Sequence, residues 1–312
     1  MDSNIRLLYD MLEGKKGHLA ILLGCVLYGT TGIFLAHIHE MAILSMIFYR
    51  LFFGVLLILL IIFITGNISQ VRLRKKKKLL ALQGIITVLN MFFYFYCVKT
   101  TCFSIAILLE YTSPIYVMIA SPFILKENIS RESIYSMVIA IAGIILVIRP
   151  EGGFSGFQTD MVYLTGILSG ILAGILAATL IMNIRLMKDE YPEMGIAFWS
   201  MGISCFLMAP FAFSTLWSIF AENLNVLASF GAVSVGMGAF LTIIGFSQVE
   251  AQTGSLLSLI EPVSGVLFDV TLLDVHLGAN VFIGCVLVLV SAFLVSVKDS
   301  ERKENIVGYQ QN

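Results

Sequence analysis

Charged residues are scarce in this chain. Of 312 residues only 12% are charged and 58% are apolar, and the mean hydropathy is +0.94. A soluble domain carries roughly 25% charged residues. Apolar runs long enough to cross a hydrocarbon core, about 20 residues each, recur from one end of the sequence to the other. The composition therefore predicts an all-α polytopic membrane protein.

Soluble domains have no room in the sequence. Ten apolar windows predict ten transmembrane helices, at residues 17–37, 41–65, 79–99, 103–125, 131–148, 161–184, 193–214, 226–248, 252–273 and 277–297. The longest polar gaps, 67–78 and 149–160, hold about a dozen residues each, whereas a domain needs at least about 50. The helix bundle itself must carry the function.

Several motifs of other protein classes are missing. The five cysteines are scattered and odd in number, which excludes a disulfide framework and a CxxC metal site. Neither the phosphate-binding pattern GxxxxGK[ST] of an ATP-driven pump nor HExxH occurs. GFSG (153–156) resembles a serine-protease motif only superficially, since it falls in a polar gap. We predict that the protein is not an enzyme and needs no metal or cofactor.

The charge balance also restricts the partners. A formal net charge of -1 argues against a nucleic-acid partner, because such proteins normally show a basic excess. The partners expected are a small-molecule substrate and the lipid bilayer, with the protein a monomer or a homodimer.

Lys and Arg are distributed unequally between alternate loops. Sixteen lie on one side of the predicted membrane, including the run RLRKKKK (72–78), and only Lys99 and Arg149 lie on the other. We expect the protein to lie in the inner (plasma) membrane, where the positive-inside rule places both termini in the cytoplasm. A lipid-headgroup patch is a second interpretation of the basic run. The predicted organisation is a cytoplasmic N-terminal segment (1–16), a five-helix repeat (17–148), an extracytoplasmic linker (149–160), a second five-helix repeat (161–297) and a cytoplasmic tail (298–312).

The two halves can be aligned with each other. An offset of 148 residues superimposes 104–148 on 252–296 without a gap, and Pro114 then meets Pro262. Five helices per half invert the second half relative to the first, as in many carriers whose substrate site lies near the midplane. The sequence therefore predicts two inverted five-helix repeats.

Four stretches carry a family resemblance: YGTTG (28–32), YRLFFG (49–54), AILLEYTSPIYVMIASPFILKENIS followed by AGIILVI, and GSLLSLIEPVSGVLFDVTLLDVHLGANVFIGCVLVLVSAFL. With them the chain resembles the drug/metabolite transporter superfamily, specifically its ten-span EamA-type exporters. The resemblance implies a central cavity, peripheral spans 5 and 10, and export of amino acids or similar metabolites. The chain departs from the family pattern at two positions. Tyr28 stands where the family often has Trp, and the repeat counterpart of Glu127 is Val275, so that the acidic residue usual after span 9 is displaced to Asp274.

Four polar residues fall at mid-depth in the predicted spans: Arg50, Asn90, Glu110 and Glu261. Each ionisable group there costs about 2.5 to 3.5 kcal/mol on insertion scales, so it usually faces a partner or an aqueous cavity. Arg50 is either a structural cation or a clamp for a substrate carboxylate. Glu110 and Glu261 either pair with Arg50 or bind a substrate ammonium or a proton. Because one cation cannot neutralise both, we hypothesise that they couple transport to protons.

Other residues are candidates for the same cavity. Tyr94 follows Asn90 by one helical turn, so both point the same way, either into the cavity or into interhelical hydrogen bonds. Tyr28 is expected to line the cavity. In the repeat alignment Glu110 meets Ser258, just before the prolines that are predicted to break their helices, Pro114 and Pro262. GILSGILAG (166–174) predicts close packing of span 6 against a neighbour.

The predicted function is secondary transport. We expect export of an amino acid or related compound by alternating access, with proton coupling as the hypothesis stated above. A channel would favour a continuous polar pore, which the isolated polar groups do not provide. The alternatives left open are an uptake permease of the same fold for a vitamin, nucleoside or organic acid, and a membrane scaffold that transports nothing.

Overall fold

The computed structural model describes residues 3–101, 103–147, 161–272 and 278–310, and the regular structure of these residues is helical. The α-helices are α1 (Ser3–Gly29), α2 (Thr31–Ala36), α3 (Ile43–Thr65), α4 (Lys77–Thr100), α5 (Phe103–Glu110), α6 (Ser113–Ile124), α7 (Arg131–Val147), α8 (Met161–Met187), α9 (Glu193–Met208), α10 (Trp217–Ser229), α11 (Ala239–Gln248), α12 (Ala251–Leu257), α13 (Ile260–Leu272) and α14 (Ala279–Gln310).

These helices form the membrane spans. Within the described residues, nine helical stretches are long and apolar enough to cross a bilayer. Spans 1, 4 and 9 are each made of two helices (α1–α2, α5–α6 and α12–α13), and span 8 joins α10 to α11 through a π-helical segment, Phe230–Gly238. The remaining predicted span, span 5, is α7, whose 17 residues end where the described residues end. The predicted all-α, ten-span class is confirmed.

Some helix ends differ from the prediction. α10 begins at Trp217, nine residues before the predicted start of span 8. The polar residues of its first turns lower the local hydropathy, but Asn223 Nδ2 donates to the His39 carbonyl at 3.1 Å, which anchors this extension to the loop after span 1. At the termini, 3–16 continue unbroken into span 1, and α14 runs past the predicted end at 297 to Gln310. The predicted linker 149–160 and the positions Asp274 and Val275 lie outside the described residues.

When the two halves are exchanged, the pairs of spans with the most extensive contacts map onto pairs that are also in contact. Span 1 packs on span 8 and, correspondingly, span 6 packs on span 3. Spans 1 and 9 match spans 6 and 4, and spans 2 and 8 match spans 7 and 3. Three further pairs map onto themselves, namely 2 with 7, 4 with 9 and 5 with 10. An inverted repeat requires this correspondence, because adding five to each span number exchanges the halves.

Small residues let the helices approach closely. A Cβ added to Gly143 in span 5 would lie 2.8 Å from the carbonyl oxygen of Gly284 in span 10. Span 6 uses the predicted GILSGILAG stretch in the same way, since a Cβ on Gly174 would lie 2.6 Å from the carbonyl oxygen of Leu109 in span 4. The predicted close packing of span 6 is confirmed, and this contact positions the part of span 4 that carries Glu110.

Spans 4 and 9 are interrupted near their middles. α5 ends at Glu110 and α6 begins at Ser113, while α12 ends at Leu257 and α13 begins at Ile260. A proline cannot donate to the carbonyl four residues earlier, and for Pro114 and Pro262 these are the carbonyls of Glu110 and Ser258. Each interruption therefore lies just before its proline, at the positions that the repeat alignment equates.

Candidate functional site

Five of the polar residues singled out from the sequence share one region. The electrostatic neighbours of Arg50 are the hydroxyls of Tyr28 and Tyr94 and the carboxyls of Glu110 and Glu261. These residues come from spans 1, 2, 3, 4 and 9, so both repeats contribute. The interruptions of spans 4 and 9 bring the two glutamates here, because Glu110 ends α5 and Glu261 lies in the first turn of α13.

Asn90 holds one of the two carboxyls. Its amide Nδ2 donates to Glu110 Oε1 at 3.2 Å and to the carbonyl oxygen of Ala173 at 2.9 Å. The amide therefore ties span 3 to spans 4 and 6 at mid-depth. The sequence left open whether Asn90 faces the cavity or another helix, and the structure places its amide between helices and against the site carboxyl.

Arg50 lacks a strong partner. Its Nη2 lies 3.5 Å from the sulfur of Met91, a weak acceptor, and its Cζ lies 5.5 Å from the centroid of the Phe230 ring. Nε is buried without a hydrogen bond. Among the described residues, no carboxylate lies within ion-pair distance of Arg50, so the alternative of a cation neutralised by one glutamate does not describe this structure. A guanidinium carries five donors and no acceptor, so an anion would satisfy it far better than these neighbours do.

Tyr111 joins the site, and the sequence analysis missed it. It lies in the interruption of span 4, directly after Glu110, and its hydroxyl is close enough to interact with the Glu261 carboxyl. One tyrosine thus links the interrupted regions of spans 4 and 9. Its position between a membrane glutamate and a proline was the available signal, because a residue outside the regular helix is free to turn towards a cavity.

Ser258 is not brought into this cluster by a hydrogen bond. Its hydroxyl donates to the carbonyl oxygen of Ser255 at 2.7 Å, within the same span. A second polar contact lies nearby: the hydroxyls of Thr31, in the first turn of α2, and Ser234, in the π-helical segment, are 3.1 Å apart. Tyr28 lies three residues before Thr31, and its ring lies close to Gly238 of span 8.

The side chains of the cluster are not fully buried. Tyr28, Arg50, Tyr94, Glu110 and Glu261 come from helices on several sides of the bundle, yet each keeps part of its surface accessible to solvent. Close-packed interior residues such as Ile47 and Val117 are fully buried. Charged groups at mid-depth with accessible surface are what a water-filled substrate cavity between two repeats requires.

The family model described as the EamA-like transporter family matches residues 15–149 and 164–297, which is most of the chain. The chain belongs to the EamA-like transporter family. The two matched segments correspond to the two repeats of the fold.

Relatives of this EamA-like transporter are also transporters by name. An uncharacterized transporter of Archaeoglobus fulgidus is 24% identical over 254 residues, which cover 80% of this chain and 84% of the relative. The pseudopaline exporter CntI of Pseudomonas aeruginosa is 25% identical over 203 residues, covering 64% of this chain and 66% of that protein. A solved crystal structure with 19% identity superimposes with a TM-score of 0.78 and covers 92% of this chain and 98% of that one, which shows a shared fold.

The site of this EamA-like transporter offers chemistry for a ligand with both signs of charge. Arg50 presents donors in the planar fork that suits a carboxylate or phosphate. The carboxyls of Glu110 and Glu261 can accept hydrogen bonds from an ammonium group. These groups come from both repeats, so a ligand that contacted all of them would bridge the two halves.

Proposed function

We propose that this EamA-like transporter exports a small metabolite that carries both a carboxylate and an ammonium group, an amino acid or a compound derived from one. The observation that carries the proposal is the state of Arg50. Its guanidinium contacts a thioether and an aromatic ring, its Nε is buried without a hydrogen bond, and no carboxylate lies within ion-pair distance of it among the described residues. A substrate carboxylate would supply the missing charge-assisted hydrogen bonds.

The two glutamates provide the other half of the recognition. Glu110 is held by Asn90, and Glu261 is approached by Tyr111, so each carboxyl has a neighbour from another span that orients it. A bound ammonium would neutralise one carboxylate. In its absence protons would do so, and exchange of proton for substrate at these two groups would couple export to the proton gradient.

Direction and orientation are part of the proposal. The distribution of Lys and Arg supports cytoplasmic termini in the plasma membrane, by the positive-inside rule. One relative is named as an exporter of pseudopaline, which supports efflux as the direction. Net flux of substrate would then run from the side of the basic loop 72–78 to the opposite side.

Thermal unfolding of the purified protein tests the substrate class. A ligand that binds only the folded state stabilises it by about 2.7 kcal/mol at a hundredfold excess over its Kd. Amino acids should raise the Tm more than the matching simple carboxylates or amines, which carry one charged group each. The increase should be lost in Arg50→Gln and kept in Arg72→Gln, which removes an arginine from the exposed loop. Equal shifts from uncharged ligands, or a shift that survives Arg50→Gln, would refute the proposal.

A further inference from the structure

A second polar cluster lies away from the cavity and joins the two repeats. Glu127, after α6, accepts two hydrogen bonds at Oε1 from Arg185 of α8, from Nε at 3.1 Å and from Nη2 at 2.9 Å. Its other oxygen accepts from the backbone N–H of Ala251 at 2.9 Å. Arg185 Nη1 donates to the carbonyl oxygen of Ser247 at 3.0 Å. We call these four residues the latch.

The latch lies on one side of the cavity. Arg185 follows Ala173, whose carbonyl marks the level of Asn90, by 12 residues of one helix, or about 18 Å. Ala251 precedes Glu261 by ten residues, or about 15 Å along span 9. Both displacements point to the end of the bundle that carries the basic loop 72–78. The latch therefore joins spans 4, 6, 8 and 9 between the site and that side.

Between the latch and the site, buried side chains of spans 4, 6 and 9 form a packed layer. Gln252 Nε2 donates to Ser121 Oγ at 3.0 Å, and both residues are buried. The buried apolar residues of spans 4, 6 and 9 in this layer are Val117, Met118, Ala178, Leu256 and Leu257. On spans 4, 6 and 9 this packed layer separates the site from the basic loops.

Backbone geometry supports a constrained role for Glu127. The preceding residue, Lys126, has φ 58°, a left-handed conformation that a side chain with a Cβ rarely adopts. Such a conformation persists where surrounding contacts hold it. The turn at Lys126 directs the chain so that Glu127 reaches Arg185 and Ala251, and only 8% of the Glu127 side chain remains exposed.

The repeat alignment shows that the latch belongs to one side only. At the offset of 148 residues, Arg185 corresponds to His37 and Glu127 to Val275. His37 is exposed, and its Nδ1 lies 2.8 Å from the carbonyl oxygen of Ile33 in its own helix. Val275 has no charge and lies outside the described residues. The opposite side of the bundle therefore cannot form the same ion pair at these positions.

We propose that Glu127 and Arg185 form the gate that closes the substrate cavity on the side of the basic loops. Opening to that side requires spans 4, 6 and 9 to separate, which breaks the ion pair and releases the N–H of Ala251. Because the opposite side lacks the pair, the ion pair biases the transporter without substrate towards the state closed to the basic loops. This inference rests on the proposed function for its meaning in transport.

Hydrogen–deuterium exchange of the full-length protein tests the gate without any substrate. In Glu127→Gln the side chain keeps its shape but loses its charge. We expect this to weaken the closed state about tenfold relative to the open state, so amide exchange should rise about tenfold. The rise should occur together in 117–125, 178–187 and 251–257 and should spare span 2. The matched control is Glu190→Gln, whose carboxylate accepts from the Lys75 N–H on the same side but belongs to no latch.

The conservative variant Arg185→Lys keeps the charge and loses the fork, so its exchange should lie between the wild type and Glu127→Gln. Exchange that stays at the wild-type level in Glu127→Gln would overturn the gate, and so would a rise spread evenly over the whole chain, which reports general loss of stability. A failure to fold in Glu127→Gln together with wild-type exchange in Arg185→Lys would also overturn it. None of these results depends on transport, so a failure of the proposed function is seen separately, as absence of flux in a protein whose gate responds.

Discussion

The amide of Asn90 and the carboxyl of Glu110 are joined across two spans, with Nδ2 lying 3.2 Å from Oε1. The same amide nitrogen holds the carbonyl of Ala173 in the second repeat. Glu110 is thereby held at the end of the first half of its interrupted helix, with its carboxyl towards span 3. The orientation of a proposed substrate group thus depends on a residue of a different span.

Loss of this amide should weaken substrate binding. In Asn90→Ala the Glu110 carboxyl loses a hydrogen bond of the kind worth about 1.5 to 3 kcal/mol when one partner is charged. We expect the KM for export to rise about tenfold or more, with little change in expression. Thr87→Ala is the matched control, because the Thr87 hydroxyl lies about one turn away and, among the described residues, bonds to the Gln83 carbonyl of its own helix and to no other group. A KM in Asn90→Ala no higher than in the control would show that Asn90 does not orient the site.

The contact between spans 6 and 4 should be sensitive to one added methyl group. Gly174→Ala places a Cβ 2.6 Å from the carbonyl oxygen of Leu109, the residue before Glu110. Backbone atoms cannot move aside cheaply, so we expect a loss of about 1 to 3 kcal/mol in stability and a fall in transport. Gly202→Ala, which meets nothing within 4 Å, should leave Tm and flux nearly unchanged. Equal behaviour of the two variants in thermal unfolding would contradict the packing described.

The strained turn before the gate should be relieved by glycine. Lys126→Gly removes the Cβ that makes φ 58° unfavourable, and we expect a gain of about 0.5 to 1 kcal/mol in stability. Lys126→Ala removes the same charge and keeps the Cβ, so it should gain nothing. Unfolding of the purified protein in detergent measures both. A gain shared by the two variants would assign the effect to charge rather than to the backbone.

The positions of the spans could be predicted from hydropathy, because the bilayer demands long apolar helices with satisfied backbones. Pro114 and Pro262 marked the interruptions because their chemistry is local. Two features escaped prediction. Among the described residues Arg50 forms no ion pair with either glutamate, and Glu127 pairs with Arg185, 58 positions along the chain. Which charges meet is decided by how helices rotate and cross, and a single sequence does not display those angles.

The start of span 8 was missed for a related reason. The first turns of α10 have a low hydropathy because they contain Glu222, Asn223 and Asn225. Hydropathy alone therefore places the start of span 8 too late. Helical structure there is maintained by hydrogen bonds to a distant loop, through the backbone of His39. Tyr111 was missed because aromatic residues in apolar spans usually pack, and only the interruption beside it turns its hydroxyl towards Glu261.

Export driven by a pH gradient is the most direct measurement. In proteoliposomes, uptake of a labelled amino acid from the side of the basic loops should saturate. Uptake should also increase when the opposite side is made acidic, because protons that enter from the opposite side replace the substrate on Glu110 and Glu261. Glu110→Gln and Glu261→Gln should abolish that increase, while Glu190→Gln, a loop variant, should retain it. Flux that responds normally to the gradient in both site variants would contradict the role assigned to this pair of carboxyls.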